Sequence, residues 1–266
     1  LVLDQTIGLG LPPRPHGGRA LAYYGGGGQG NHLGGVYGRG LVAAMRTRYH
    51  YSALAQEKTG DFWVNGQLFG RQTCHTTEGV EQAEVVVLAG TNPWQAHGIR
   101  NARDTLRAIA KDPARTLIVI DPRRTESAAL ADIHLQVRPG TDAFLLAALL
   151  AVMVREGRED RAFLDARTTG FEALREVLLK VPVEDYAERA GVSSEDVLRV
   201  ARRIGEAKSA SVRVDLGLQQ SLHSTLNSYL EKLLALVPGH FGRAGCNSLH
   251  RFFVPLVGHS DPPGPG

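Results

Sequence analysis

Three short stretches, "EVVVLAG" (Glu84–Gly90), "TLIVID" (Thr116–Asp121) and "DIHLQV" (Asp132–Val137), carry Val, Ile and Leu with little polar alternation. Strands written this way are covered on both faces, which confines them to the interior of a layered fold. Between the first two lies "IRNARDTLRAIAKD", amphipathic at helical spacing through Ile99, Leu106 and Ile109. Between the second and third lies "TESAALA", a short helical link. The β-α-β-α-β order predicts a parallel sheet with right-handed crossovers. Ligands of such sheets bind beyond the carboxyl ends of the strands.

The remaining segments fit around that sheet. "LPPRPHGG" is a Pro/Gly linker, and the "ALAYYGGGGQGNHLGG" that follows reads as a short strand and a glycine-rich loop. So many glycines either turn backbone amides toward an anion or let two chain segments pass closely. "YGRGLVAAMRTRY" reads as a helix. The apolar run Phe144–Val154 is too short for the ~20 residues that cross a bilayer, and it reads as a buried helix within residues 142–156. Helical segments follow through residue 192. "SSEDVLRVARRIGEAK" adds a helix with Ser residues placed to cap it. "ASVRVDLGLQQ" is a further strand and turn, and "TLNSYLEKLLALVPG" one more helix.

Composition narrows the class of function. At 266 residues, with 43% hydrophobic and 21% charged residues, the chain is globular in character. Its net charge of +3 comes with acidic and basic residues interspersed, a balance that suits an anionic small molecule as well as a nucleic acid. Aromatic residues, at 6%, are too few for the basic and aromatic stripe of a nucleic-acid module, so no nucleic-acid partner is expected. Cys74 and Cys246 form no Cys-x-x-Cys pair, which excludes a zinc ribbon or a self-contained iron-sulfur site within these residues. No signal peptide or membrane segment is legible, and a reducing, cytoplasmic setting is expected. The start without methionine and the end in "HSDPPGPG" read as those of a fragment.

The three strands end in chemistry. The first runs into Gly90-Thr91-Asn92-Pro93, the second into Asp121-Pro122-Arg123-Arg124-Thr125, the third into Arg138-Pro139-Gly140-Thr141-Asp142. Gly90 permits close backbone approach, and Asn92 offers a donor and an acceptor. Asp121 is able to accept from ribose hydroxyls or from the amino and imino edge of guanine, and Arg123 and Arg124 to fork onto phosphate. Thr141 and Asp142 open a helix. Read singly, Asp142 serves as well as a helix cap, Asp121-Pro122 as a turn opener, and the two arginines as solvated surface. Read together, three polar clusters at successive strand ends point to a nucleotide-bearing ligand.

These residues carry a family resemblance. "VVVLAGTNPWQAHG", "LIVIDPRRTESAALADIHLQVRPGTDAFLLAALL", "AGVSSEDVLRVAR" and "GHFGRAGCN" look like the molybdopterin oxidoreductase family, formate dehydrogenases and their relatives in particular. The resemblance implies a bis-molybdopterin guanine dinucleotide cofactor with molybdenum or tungsten. Gly90, Thr91 and Asn92 resemble the family's Gly-x-Asn pterin dinucleotide contact. Asp121, Arg123 and Thr125 resemble its Asp-Pro-Arg-x-Thr element, and Gly140, Thr141 and Asp142 its guanosine-binding Gly-Thr-Asp. Gln220, in "GLQQ", resembles a glutamine that meets the pterin end. The implied fold is α/β, a Rossmann-like parallel sheet flanked by helices with a second, discontinuous α/β lobe. Residues 1–18 would be a linker, 19–80 with 210–266 the first lobe, and 81–209 the dinucleotide-binding lobe.

The resemblance also implies a two-electron oxidation of a small substrate such as formate, with an electron-transfer partner. The family's cysteine-rich cluster segment and its β-barrel domain have no counterpart in these residues, so an iron-sulfur cluster is expected only upstream. The metal ligand of the family falls near Gln56 and Glu57, where no cysteine stands. Glu57 is a hard oxygen ligand or a surface carboxylate beside Lys58. Cys74 in "TCHTT" mimics the Cys-His pair of formate dehydrogenases or is a buried thiol. His250 and Arg251 lie where those enzymes handle the substrate carboxylate, and His97 is read as structural. Two other readings stand beside this one. The first is a cofactor-binding fragment without turnover. The second is a nicotinamide or thiamine-diphosphate lobe, against which no Gly-x-Gly-x-x-Gly follows the first strand.

Overall fold

The computed structural model describes residues 20–25, 33–72, 74–96 and 98–249. The chain divides into two compact units, one of Leu1–Thr59 with Phe252–Gly266, the other of Gly60–Arg251. His97, His250 and Arg251 lie outside the described residues.

In the smaller unit, β1 (Ala22–Tyr24) pairs in parallel with β2 (Tyr49–Tyr51), and α1 (Leu33–Met45) connects them. The Thr47 hydroxyl donates to the Leu21 carbonyl and accepts from the Tyr49 amide, which fixes the entry to β2. A short helix, α2 (Leu54–Glu57), follows.

The larger unit begins at the second residue of α3 (Thr59–Phe69), which β3 (Thr76–Glu78) follows. The expected strands are β4 (Val85–Ala89), β5 (Thr116–Ile120) and β6 (Ile133–Leu135), all parallel. Helix α4 (Ala102–Lys111) joins β4 to β5, and a single 3₁₀ turn, Ala128–Leu130, joins β5 to β6. Then come α5 (Asp142–Arg155), α6 (Arg161–Arg167), α7 (Phe171–Leu179), α8 (Val183–Ala190) and α9 (Ser194–Gly205). The Ser193 hydroxyl caps α9 by accepting from the Asp196 amide at 3.0 Å. The chain closes with β7 (Ala210–Val214), α10 (Leu216–Gln219), α11 (Ser224–Leu236) and β8 (Asn247–Leu249).

The sheet order is β6-β5-β4-β7. Segment 210–214, read from sequence with the first lobe, pairs in parallel with β4 from Val85↔Ala210 to Ala89↔Val214. Successive residues of β4 and β5 alternate between two cores, as strand geometry requires. Val85, Val87, Ile118 and Ile120 face the core that holds α5, α8, α9 and α11. Val86, Leu88, Leu117 and Val119 face Leu106 and Ile109 of α4. The apolar run Leu145–Val154 is buried except at Ala147, because α5 is the central helix on its side of the sheet.

β7 is an edge strand. Its outer edge is met by the Asn247 side chain, whose Oδ1 accepts from Val212 N at 2.8 Å while Nδ2 donates to Val212 O at 2.9 Å. One amide side chain thereby replaces a backbone partner and shields the edge.

Candidate functional site

The chain order reverses about β4: β5 lies on one side of it and β7 on the other. That reversal opens a crevice at the carboxyl ends of the strands, the place where open α/β sheets bind ligands. Here the crevice has a floor of bare backbone. Gly90, just past β4, holds φ at +58°, and its carbonyl accepts from Gly217 N at 3.0 Å. A Cβ on Gly90 would lie 2.5 Å from Leu218 Cδ1, and one on Gly217 would lie 2.6 Å from the Gly90 Cα. Two loops far apart in sequence approach this closely only without side chains.

The cleft above this floor has a volume of about 460 Å³. Asp121 and Asp142 supply its carboxylates, and Gln220 and Ser221 its neutral polar groups. Val137, Pro122, Pro139 and Leu222 form apolar walls, and Gly140 lies at the rim. Leu222 is 99% exposed, an apolar side chain standing free at the mouth. Asp121 is set by an Asx turn in which its Oδ1 accepts from Arg123 N at 2.8 Å. Asp142 is only 7% exposed, and burial, with the nearby Asp121 charge, holds its carboxyl above the usual aspartate range. Two carboxylates facing one cleft call for a ligand edge rich in N–H or O–H donors.

The cleft thus gathers Gly90, Asp121, Gly140, Asp142 and Gln220 from the sequence reading. The others do not line it. Asn92 is engaged at both ends of its amide: Nδ2 donates to Glu126 Oε2 at 2.8 Å, and Oδ1 accepts from the Ser127 hydroxyl at 2.7 Å. Gln95 donates to the other Glu126 oxygen at 3.1 Å. These bonds tie the loop after β4 to the loop after β5, and a backbone hydrogen bond at Glu126, followed by those from Asn92 and Gln95, holds the Glu126 carboxyl below its usual range. The Thr125 hydroxyl accepts from Ala128 N and starts the 3₁₀ turn. Thr141, not Asp142, is the N-cap of α5, and its hydroxyl donates back to Arg138 O at 2.7 Å. Thr91 Oγ1 is buried without a hydrogen-bond partner, one residue from the glycine floor. The Arg123 and Arg124 side chains are exposed.

The metal-ligand candidates are not among the residues that line this cleft. Glu57 ends α2 of the smaller unit, half-buried. Cys74 is buried, its thiol donates to Arg71 O at 2.9 Å, and burial raises its pKa. A ligand or nucleophile needs the thiolate, so this environment opposes the role read from "TCH". Among the described residues no group of three or more His, Cys, Asp or Glu is placed to hold a metal ion.

Sequence reasoning missed the buried polar face of α11. Asn227, Ser228, Glu231 and Lys232 share one helical face, and each is at most 3% exposed. Lys232 Nζ donates to Asp61 Oδ1 of α3 and to Glu231 Oε1, both at 2.5 Å. Burial, opposed by Lys232, pushes the Glu231 carboxyl up to about 7. The signal was present in "TLNSYLEKLLAL", where apolar residues on the other faces leave this polar stripe no solvent side.

A parallel sheet whose switch point is floored by glycine and faced by two carboxylates is the ligand-binding end of a Rossmann-like α/β domain. The chain belongs to the molybdopterin oxidoreductase family, whose sequence profile matches residues 34–250. It is 33% identical over 181 residues to the formate dehydrogenase 2 alpha subunit of Methanococcus maripaludis, covering 68% of this chain and 26% of that protein. It is 28% identical over 236 residues to the assimilatory nitrate reductase catalytic subunit of Bacillus subtilis, covering 86% of this chain and 32% of that one. Acetylene hydratase from Pelobacter acetylenicus superposes with a TM-score of 0.69 at 21% identity, over 92% of this chain and 33% of its own. The chain therefore spans about a quarter to a third of these relatives. Among the described residues no helix is long and apolar enough to cross a membrane.

Proposed function

We propose that this chain is the central cofactor-binding part of a bis-molybdopterin guanine dinucleotide oxidoreductase that oxidises formate or a similar small substrate by two electrons. The observation that carries the reading is the pair Asp121 and Asp142 in a glycine-floored cleft at the sheet's switch point. Two carboxylates match the N–H edge of guanine and the ribose hydroxyls, and adenine offers no equivalent pair of donors. The bare floor at Gly90 and Gly217 admits a bulky ligand against backbone, and the orphaned Thr91 hydroxyl beside it fits a polar ligand. Gln220 faces the same cleft and is assigned to the pterin end, and the exposed Arg123 to phosphate.

The cofactor, with molybdenum or tungsten, supplies the redox chemistry. The protein's part is to orient it and exclude competing donors. An iron-sulfur partner, in the same or another polypeptide, is the natural outlet for the electrons. The formate assignment rests on likeness to proteins named as formate dehydrogenases.

Calorimetry of the chain with GDP and with ADP tests the reading. GDP is expected to bind at least tenfold tighter, with Asp142→Asn and Asp121→Asn each lowering GDP affinity by about tenfold, in line with roughly 1.4 kcal/mol per decade. Equal affinity for the two nucleotides, or none, would refute it.

A further inference from the structure

We propose that Asn227 and Ser228 of α11 are positioning residues for the cleft, holding the wall formed by residues 217–222 in its binding geometry. The inference rests on the nucleotide reading of the cleft for its functional half. Its structural half stands on the following bonds alone.

Gly217, Gln220, Ser221 and Leu222 line the cleft, yet the chain from Leu216 to Ser221 includes only one short helical turn. Such a segment needs external ties to keep one conformation. Those ties come from α11. Asn227 Nδ2 donates to Leu218 O at 3.0 Å and to Ser221 Oγ at 2.9 Å. Gln219 Nε2 donates to Ser228 Oγ at 2.8 Å, and that hydroxyl also lies 3.0 Å from Ser224 O. The two adjacent glutamines are thereby given opposite tasks: Gln219 is buried against α11, while Gln220 is turned out into the cleft.

The energetics separate this role from plain stabilisation. Asn227 Oδ1 is buried and has no hydrogen-bond partner. An unsatisfied buried acceptor costs about 1–3 kcal/mol, and a leucine of the same shape would remove it while Leu218 O keeps its bond from the Ser221 hydroxyl at 3.3 Å, so packing would be served at least as well. What Leu lacks is the two-pronged donor that grips Leu218 O and Ser221 Oγ together. The residue makes sense as a clamp on the wall.

Hydrogen exchange and GDP titration of the chain, with Asn227→Leu and Ser228→Ala, test the assignment. In Asn227→Leu, amides 216–222 are expected to exchange about tenfold faster and GDP to bind about tenfold more weakly, while Tm holds or rises. Ser228→Ala, which removes only the Gln219 tie, gives the same changes at smaller size and serves if the leucine variant does not fold. Unchanged exchange at 216–222, or exchange accelerated evenly along the chain with a lowered Tm, would overturn the proposal. Faster local exchange with unchanged GDP affinity would overturn its functional half. A wild-type chain that ignores GDP would sink the nucleotide reading alone, since the exchange measurement still decides on the clamp.

Discussion

At the scale of single residues, the cleft depends on what is missing as much as on what is present. Gly217 has no unusual demand on its φ, but its Cβ position is occupied by the Gly90 backbone at 2.6 Å. Backbone cannot rotate aside as a flexible side chain would. Gly217→Ala is expected to lose roughly 2–3 kcal/mol in urea melts, in the range of overpacking elsewhere in proteins, and to abolish GDP binding. A melt within about 0.5 kcal/mol of wild type would show that the two loops are not packed as described. Asn92 teaches the complementary lesson: its amide, free to read a ligand in the sequence, is spent on Glu126 and Ser127. It acts on the cleft by aligning two strand-end loops.

At the scale of elements, β7 is the strand on which the site turns, since the crevice exists only because β7 lies on the opposite side of β4 from β5. Its outer edge rests on the Asn247 amide, itself 2% exposed. Asn247→Leu keeps the volume but leaves the Val212 N–H and C=O buried and unpaired. The expected cost is about 2–4 kcal/mol, read by chemical denaturation, with one to two such groups left unsatisfied. Loss below about 0.5 kcal/mol would mean that water or another group replaces the amide. Helix α11 shows the same economy of faces, with Leu230, Leu233 and Leu234 turned to the sheet's core and its polar stripe to α3 and α10.

At the scale of the whole molecule, the buried Asp61–Lys232–Glu231 cluster should leave its mark on stability against pH. Glu231 is raised above its ordinary value, mainly by burial, to about 7, with Lys232 opposing the shift and Asp61 and Glu78 adding to it. A carboxyl raised on folding contributes stability that is full below its unfolded value near 4.5 and lost as pH climbs through about 7. Glu84 and Glu156, lowered by arginine and backbone partners, act in the opposite sense at the acid end. Comparing Glu231→Gln with wild type isolates the one group. The Tm difference, variant minus wild type, is expected to rise from pH 5 to pH 7 and level off above. A difference that stays flat over that range would show that the Glu231 carboxyl is ionised throughout.

The sequence by itself determined the elements and the family. Unbroken Val, Ile and Leu runs dictated doubly covered strands, helical spacing dictated α4, α5, α9 and α11, and the polar residues after each strand marked the binding edge, because all of these follow from periodicities within one segment. Five of the ten cofactor-binding residues read from sequence reach the cleft for the same reason: parallel strands present their carboxyl ends together. Only the tertiary structure decided that β7 completes this sheet, that Gly217 meets Gly90, that Asn92 turns inward, and that α11 buries a charged stripe against Asp61. Each of those outcomes joins segments separated by at least 34 residues, apart from the packing of α11 on its neighbouring turn. Residue periodicity gives the face a side chain takes, and it says nothing about which distant chain segment will be waiting there.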